Sequence, residues 1–189
     1  MTPYYNKPTQ EGLYQHFSTV AKETDLPIML YNVPSRTAVN MKPGTVARLS
    51  SIKNIVGIKE ASGSLVQVSE IIDSCGPEFS VISGEDALTW PILAIGGKGV
   101  ISVTANLVPS KFAKLCQTAR EGDIETAKAL HYELLKLNDI MFIETNPIPV
   151  KAALALMGRI ENEFRLPLCP PTEENLAQLS TVLKAYSLV

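Results

Sequence analysis

From Ile28 to Lys59 the chain reads IMLYNVPSRTAVNMKPGTVARLSSIKNIVGIK. Two short runs rich in apolar residues, IMLYNV (Ile28–Val33) and IVGIK (Ile55–Lys59), flank a segment of helical character, Lys42–Ser50. Pro43 stands near the start of that segment, where a missing N–H is harmless. A strand, a helix and a second strand follow from this pattern. The same rhythm continues in FSVIS (Phe79–Ser83) and VISVT (Val100–Thr104). Successive runs start 27, 24 and 21 residues apart, room for one helix and two short loops each. Strands so short and so nearly continuously apolar are expected to be buried on both faces of a parallel sheet.

Helices are predicted over Gln10–Thr24, Ser64–Ser74 and Asp86–Ile95, and beyond the last strand over Ser110–Arg120, Asp123–Met141, Pro147–Met157 and Thr172–Tyr186. Leu65, Val68, Ile71 and Ile72 fall on one face of the second of these, and Cys75-Gly76-Pro77 stops it. Thr145–Pro149 and Pro167–Pro171 read as linkers. Four βα units with a helical tail fit either a doubly wound sheet or part of a (β/α)8 barrel. No Gly-rich turn follows the first strand, and the cluster Gly96-Gly97-Lys98-Gly99 precedes a strand, so it reads as a turn and not as a phosphate cradle.

The whole chain of 189 residues is 46% hydrophobic, 19% charged and 6% aromatic, enough apolar material for a sizeable core. Seventeen basic residues against 19 acidic give a net charge of −2, which argues against a nucleic-acid surface. No apolar run reaches the roughly 18 to 20 residues that span a bilayer, and MTPYYNKPTQEG lacks the layout of a signal peptide. Cys75, Cys116 and Cys169 are widely spaced and read as reduced thiols. A soluble cytoplasmic protein with no membrane and no nucleic-acid partner is expected.

In parallel α/β folds the chemistry sits at the carboxyl ends of strands. Here those ends carry Tyr31-Asn32-Val33-Pro34-Ser35-Arg36-Thr37, Lys59-Glu60-Ala61-Ser62, Ser83-Gly84-Glu85-Asp86 and Thr104-Ala105-Asn106. Thr2–Asn6 resembles the end of a further strand. Lys59 closes an apolar run, so it is either paired, kept neutral by desolvation, or turned out past the strand end toward Glu60. A neutral amine is the nucleophile that forms a Schiff base with a carbonyl compound. Tyr31, at matching depth on the neighbouring strand, is either a proton shuttle or a half-buried phenol bonded to backbone. Arg36 is either a carboxylate clamp or a solvated loop residue. Asp86 reads as a helix N-cap, and His16 and His131 as surface residues without metal-ligand spacing.

Together, the stretch from Tyr31 to Thr37 and VGIKEA (Val56–Ala61) resemble the active-site signature of the dihydrodipicolinate synthase family, pyruvate-dependent class I aldolases on a (β/α)8 barrel. TPYYNKPTQEG, SGED, GGKGVISVTAN and ETNPIPVKAAL resemble further blocks of that family, so the likeness covers essentially the whole chain. The resemblance implies Lys59 as the lysine that condenses with pyruvate and Tyr31 as the phenol assisting it. It implies Arg36 as the grip on the carboxylate of the aldehyde, and Gly84 and Ile101 as backbone lining of the pyruvate pocket. Tyr5 would reach across a subunit interface to complete a proton relay, and Tyr4 matches a residue of a lysine feedback site. N-acetylneuraminate lyase shares the tyrosine and lysine, but Pro34-Ser35-Arg36 looks like the synthase subgroup. The implied reaction joins pyruvate to aspartate 4-semialdehyde in the diaminopimelate route to lysine, through a covalent imine and without a separate cofactor or metal, in a homo-oligomer, commonly a tetramer.

A full barrel takes about 250 residues, and by the resemblance this chain opens near the end of barrel strand four. The expected layout is then the C-terminal part of a (β/α)8 barrel over residues 1–122 and a C-terminal helical domain over 123–189. Paired threonines that bind pyruvate's carboxylate, and most of the lysine feedback pocket, would lie in the family's preceding units. Met1 stands where relatives commonly have valine, which suggests an internal start codon or a misassigned gene start. Open strand edges imply association with copies or with another polypeptide. A non-catalytic remnant and a different pyruvate aldolase are the competing readings.

Overall fold

A computed structural model describes residues 1–189. The chain forms two compact units, Met1–Ile101 and Ser102–Val189. The first contains α1 (Gln10–Lys22), β1 (Ile28–Asn32), α2 (Pro34–Thr37), α3 (Pro43–Ser50), β2 (Ile55–Glu60), α4 (Leu65–Cys75), β3 (Ser80–Ser83), α5 (Thr89–Ala94) and β4 (Gly99–Val100). Its four strands are all parallel and lie in the order β1-β2-β3-β4. A sheet wound in one direction, each strand beside its predecessor, is a run of barrel staves, whereas a doubly wound sheet reverses direction part-way. The fold is therefore part of a (β/α)8 barrel.

Capping chemistry sets several of the helix starts. The side chains of Thr9 and Ser64 accept the N–H groups of Gly12 and Gln67 at the starts of α1 and α4, and Pro43 opens α3. The core lies between the sheet and the helices. Leu30, Ile58 and Val81 meet Leu13 and Phe17 of α1, Val46 and Leu49 of α3, and Val68 and Ile71 of α4 in one buried cluster. Register shifts between Ile28 and Met29, whose partners are Ile55 and Gly57. That bulge allows Ile55 and Ile58, three apart in one strand, both to join the cluster. Gly57 permits a close strand approach, since a Cβ there would stand 2.4 Å from the Ser80 carbonyl oxygen.

Three sequence expectations need correcting. The strands are covered on one face only: Leu30, Asn32, Ile58, Glu60, Val81 and Ser83 are buried, while Met29, Tyr31, Lys59 and Ile82 on the other face are partly exposed. Helices α1, α3, α4 and α5 contribute side chains to the core cluster on the first of these faces. The fourth strand is Gly99–Val100, not Val100–Thr104. It pairs only with β3, and the Ser102 hydroxyl then accepts the Ala105 N–H and turns the chain into a 3-10 turn over Thr104–Asn106. Thr2–Asn6 is not a strand; a single backbone bond, Thr2 N–H to the Tyr31 carbonyl (3.2 Å), attaches it beside β1.

The second unit contains α6 (Pro109–Glu121), α7 (Ile124–Ile140), α8 (Ile148–Leu156) and α9 (Glu173–Ala185). Phe112 and Leu115 of α6, Leu130, Leu134 and Leu137 of α7, Ala152 and Ala153 of α8, and Leu179 and Leu183 of α9 are among its buried apolar residues. Asp123 and Thr172 cap α7 and α9 through their side chains. No helix is long and apolar enough to cross a membrane.

Candidate active site

Parallel pairing sets Tyr31 opposite Lys59 and Asn32 opposite Glu60. Because side chains alternate along a strand, the first pair stands on the open face and the second faces the helices. Lys59 Nζ lies 4.4 Å from the centroid of the Tyr31 ring. Burial pushes the Lys59 amine below the ordinary lysine value, Asp86 opposes the shift, and the Arg36 guanidinium adds to it. Burial likewise pushes the Tyr31 phenol up, with Arg36 working against that shift and Glu85 adding to it. Lys59 and Glu60 do not meet, for Glu60 accepts hydrogen bonds on the opposite side of the sheet. A desolvated amine against a phenol can add to a carbonyl carbon while the phenol moves a proton.

The remaining expected residues fall around this pair in different ways. Gly84 lies directly against the lysine: its N–H donates to the Glu60 carbonyl at 2.8 Å, and a Cβ on it would stand 3.1 Å from Lys59 Cε. Ile101 continues the β4 ladder by donating its N–H to the Ser83 carbonyl at 2.9 Å, and its side chain is 49% exposed. Arg36 is exposed and belongs to α2, a single helical turn where a loop was expected. Pro34 opens that turn, and the Ala38 N–H closes it on the Pro34 carbonyl. Tyr5 is 88% exposed at a turn.

Asp86 is not a helix N-cap. It is the first residue of a 3-10 turn and is 4% exposed; the preceding Glu85 takes the cap position. The Ser83 hydroxyl donates to the Glu85 carbonyl at 2.8 Å and draws the turn in. Asp86 thereby becomes the acidic group acting on Lys59, a role the SGED stretch did not suggest. Burial and the charge of Glu60 push the Glu85 carboxyl up. In the sequence Asn32 carries no assigned role and Glu60 only a possible contact with Lys59. Each follows a candidate residue by one position, so strand alternation alone would have assigned them to the core face, where polar groups need partners.

The site is of the barrel class, with a half-buried lysine at the carboxyl end of one strand set against a tyrosine of the neighbouring strand. Residues 1–186 match the sequence profile of the Dihydrodipicolinate synthetase family, and the chain belongs to that family. It is 55% identical over 190 residues to the 4-hydroxy-tetrahydrodipicolinate synthase of Nitratidesulfovibrio vulgaris (strain DP4), covering 100% of this chain and 65% of that protein. The enzyme of the same name from Geobacter sulfurreducens is 56% identical over 189 residues, with the same coverage. Among solved structures, dihydrodipicolinate synthase from Aquifex aeolicus superposes with a TM-score of 0.96 at 51% identity, over 98% of this chain and 64% of that one. That from Thermotoga maritima gives 0.97 at 48% identity, over 100% and 65%. The chain spans about 65% of the length of the curated relatives it matches.

Proposed function

We propose that this chain carries the imine-forming lysine of a 4-hydroxy-tetrahydrodipicolinate synthase, which joins pyruvate to L-aspartate 4-semialdehyde in the diaminopimelate route to lysine. The observation that supports it most directly is the Lys59 amine, held below its ordinary pKa and 4.4 Å from the Tyr31 ring centroid. In its neutral form Nζ adds to the carbonyl carbon of pyruvate. The resulting carbinolamine loses water as Tyr31 gives a proton to the departing hydroxyl, leaving a protonated imine and the Tyr31 phenolate. Loss of a methyl proton turns the imine into an enamine, whose carbon bonds to the aldehyde carbon of the semialdehyde while the aldehyde oxygen takes up a proton. The amino group of the condensed product then attacks the imine carbon, closes the ring and frees Lys59.

In this reading Arg36 grips the carboxylate of the semialdehyde bidentately. Gly84 and Ile101 line the pyruvate site through their backbones. The imine is itself the electron sink, so no separate cofactor or metal is called for. Tyr5, whose side chain stands out from the surface, serves a neighbouring copy in a homo-oligomer, a tetramer as is common in the family, working in the cytoplasm. Residues 1–122 are then barrel, with α6 following the last strand, and 123–189 the appended helical domain. The test is intact mass after incubation with pyruvate and borohydride, with Lys59→Ala as control. One pyruvate-derived adduct that the control lacks is the expected result. A folded chain that takes no adduct would favour the non-catalytic reading.

A further inference from the structure

On the helix side of β2, immediately behind Lys59, lies a polar cluster at the end of a mostly apolar layer. Glu60 is 2% exposed and Asn32 is 0% exposed. Asn32 Nδ2 donates to Glu60 Oε2 at 3.0 Å and to Asn40 Oδ1 at 2.8 Å, while Asn32 Oδ1 accepts the Met41 N–H at 2.9 Å. Glu60 Oε1 accepts the Ser62 N–H at 2.7 Å and Gln67 Nε2 at 3.4 Å. Asn40 and Gln67 exchange a reciprocal amide pair at 2.9 and 3.1 Å. Three parts of the chain donate to the one carboxylate, the end of β1, the turn after β2 and the first turn of α4, and the segment before α3 joins them through Asn32 and Gln67.

Burying a carboxylate is costly unless hydrogen bonds replace its water, and this cluster supplies them. An apolar pair would fill the same space at less risk. What the cluster adds is direction. Lys59 and Glu60 share a peptide bond and point to opposite faces, so holding the Glu60 carboxylate by N–H groups from separate segments fixes the backbone twist at the end of β2. That twist sets where the Lys59 amine emerges. The Glu60 carbonyl also accepts the Gly84 N–H at 2.8 Å, which holds β3 against the lysine stem.

We propose that Glu60 is a positioning residue for Lys59: with Asn32, Asn40 and Gln67 it forms a clamp behind the sheet that aims the amine at the Tyr31 ring in front. The proposal rests on the reading of Lys59 as the imine-forming lysine. Its geometric half can be tested apart from that chemistry.

Glu60→Gln keeps the shape but places an amide N–H₂ against N–H donors, so the clamp is mismatched. Asn32→Asp with Glu60→Gln exchanges the carboxylate and the amide. The amide now on β2 then donates to the carboxylate now on β1 and keeps its oxygen on the Ser62 N–H, while Asn40 and Gln67 turn their amides over together and give up only the 3.4 Å bond from Gln67 to position 60. Gln67→Ala removes one half-buried donor and disturbs folding least. Two readouts are taken on the full chain: the rate of borohydride trapping with pyruvate, and the NMR shift of the ¹³C-methylated Lys59 amine, assigned with Lys59→Arg, which reports the Tyr31 ring current.

In E60Q, maximal trapping should fall about tenfold to a hundredfold, as expected for a misplaced nucleophile, with the half-saturating pyruvate concentration unchanged. The Lys59 methyl signal should lose its ring-current shift, the paired exchange should restore most of both, and Gln67→Ala should move both the same way to a smaller extent. A folded E60Q with the parent rate and the parent shift would overturn the proposal. If E60Q does not fold, the exchange variant and Gln67→Ala decide: a folded exchange variant without the ring shift, or Gln67→Ala with unchanged readouts, would overturn it equally. A parent chain that takes no adduct, yet shows this pattern of shifts, would refute the imine chemistry and leave the clamp standing.

Discussion

Gly84→Ala places one methyl group where the strand end has no room for it. The added Cβ would stand 2.6 Å from Ala61 Cβ, 3.1 Å from the Glu60 carbonyl oxygen and 3.1 Å from Lys59 Cε. Carbon atoms rest about 3.5–4.0 Å apart, so the Ala61 contact is too close by about 1 Å and the Lys59 contact by about half that. Gly84 cannot retreat without stretching its 2.8 Å bond to Glu60, and the buried Ala61 is held by its own N–H bond to the Asn32 carbonyl at 2.9 Å. The flexible member of the group is the lysine stem. We therefore expect about 2 kcal/mol of destabilisation, within the usual overpacking range, and a displaced amine whose imine trapping slows at least about tenfold. Urea unfolding followed by circular dichroism measures the first, and borohydride trapping the second. Ala61→Gly together with Gly84→Ala removes the closest contact and keeps the one to Lys59, so stability should recover further than trapping. Gly84→Ala with the parent's unfolding midpoint and trapping rate would refute the packing.

Trapping needs the neutral amine, so its rate should rise with pH through the Lys59 pKa, at a midpoint below that of an ordinary lysine. Arg36 lowers that pKa and Asp86 raises it. Arg36→Ala should thus move the midpoint up and Asp86→Asn should move it down, and pH–rate profiles of trapping would check both signs. Tyr31→Phe keeps the ring against Lys59 but loses the hydroxyl; imine formation should slow about a hundredfold while the ring-current shift of the methylated lysine persists. In the second unit Leu134→Ala empties a fully buried site and should cost about 2–5 kcal/mol in urea unfolding, with smaller losses only if its neighbours collapse into the space.

The strands were legible because Ile, Val and Leu concentrate in four runs, and the helices because their apolar residues recur at helical spacing between visible stops such as Gly76. The sequential order of the strands was not, since loop lengths that suit one winding suit the other. Tyr31 and Lys59 could be placed at matching depth, yet whether Lys59 met Glu60 depended on which face each occupies, and consecutive strand residues never share one. Asn32 has no role in the sequence reading, and Glu60 only a possible contact with Lys59, because two residues with more familiar chemistry stand beside them. Asp86 differs from its sequence reading because an acidic residue before an apolar helix has two common fates, and here Glu85 takes the cap position while Asp86 is buried one residue further on. VISVT looked like a full strand, but a strand with one neighbour lasts only as long as its hydrogen bonds, and Ser102 ends it.

The bulge near the start of β2 bears on how this strand can change over generations. Inserting or deleting one residue beyond it would carry the lysine into the helix layer and push the carboxylate onto the open face, unless a second bulge restored the alternation. The one tolerated irregularity, beside Ile28 and Met29, lies at the opposite end of the strands from the amine. Without a second bulge, changes of length are confined to that far end and to the loops, and the last four residues of β2 can vary only by substitution.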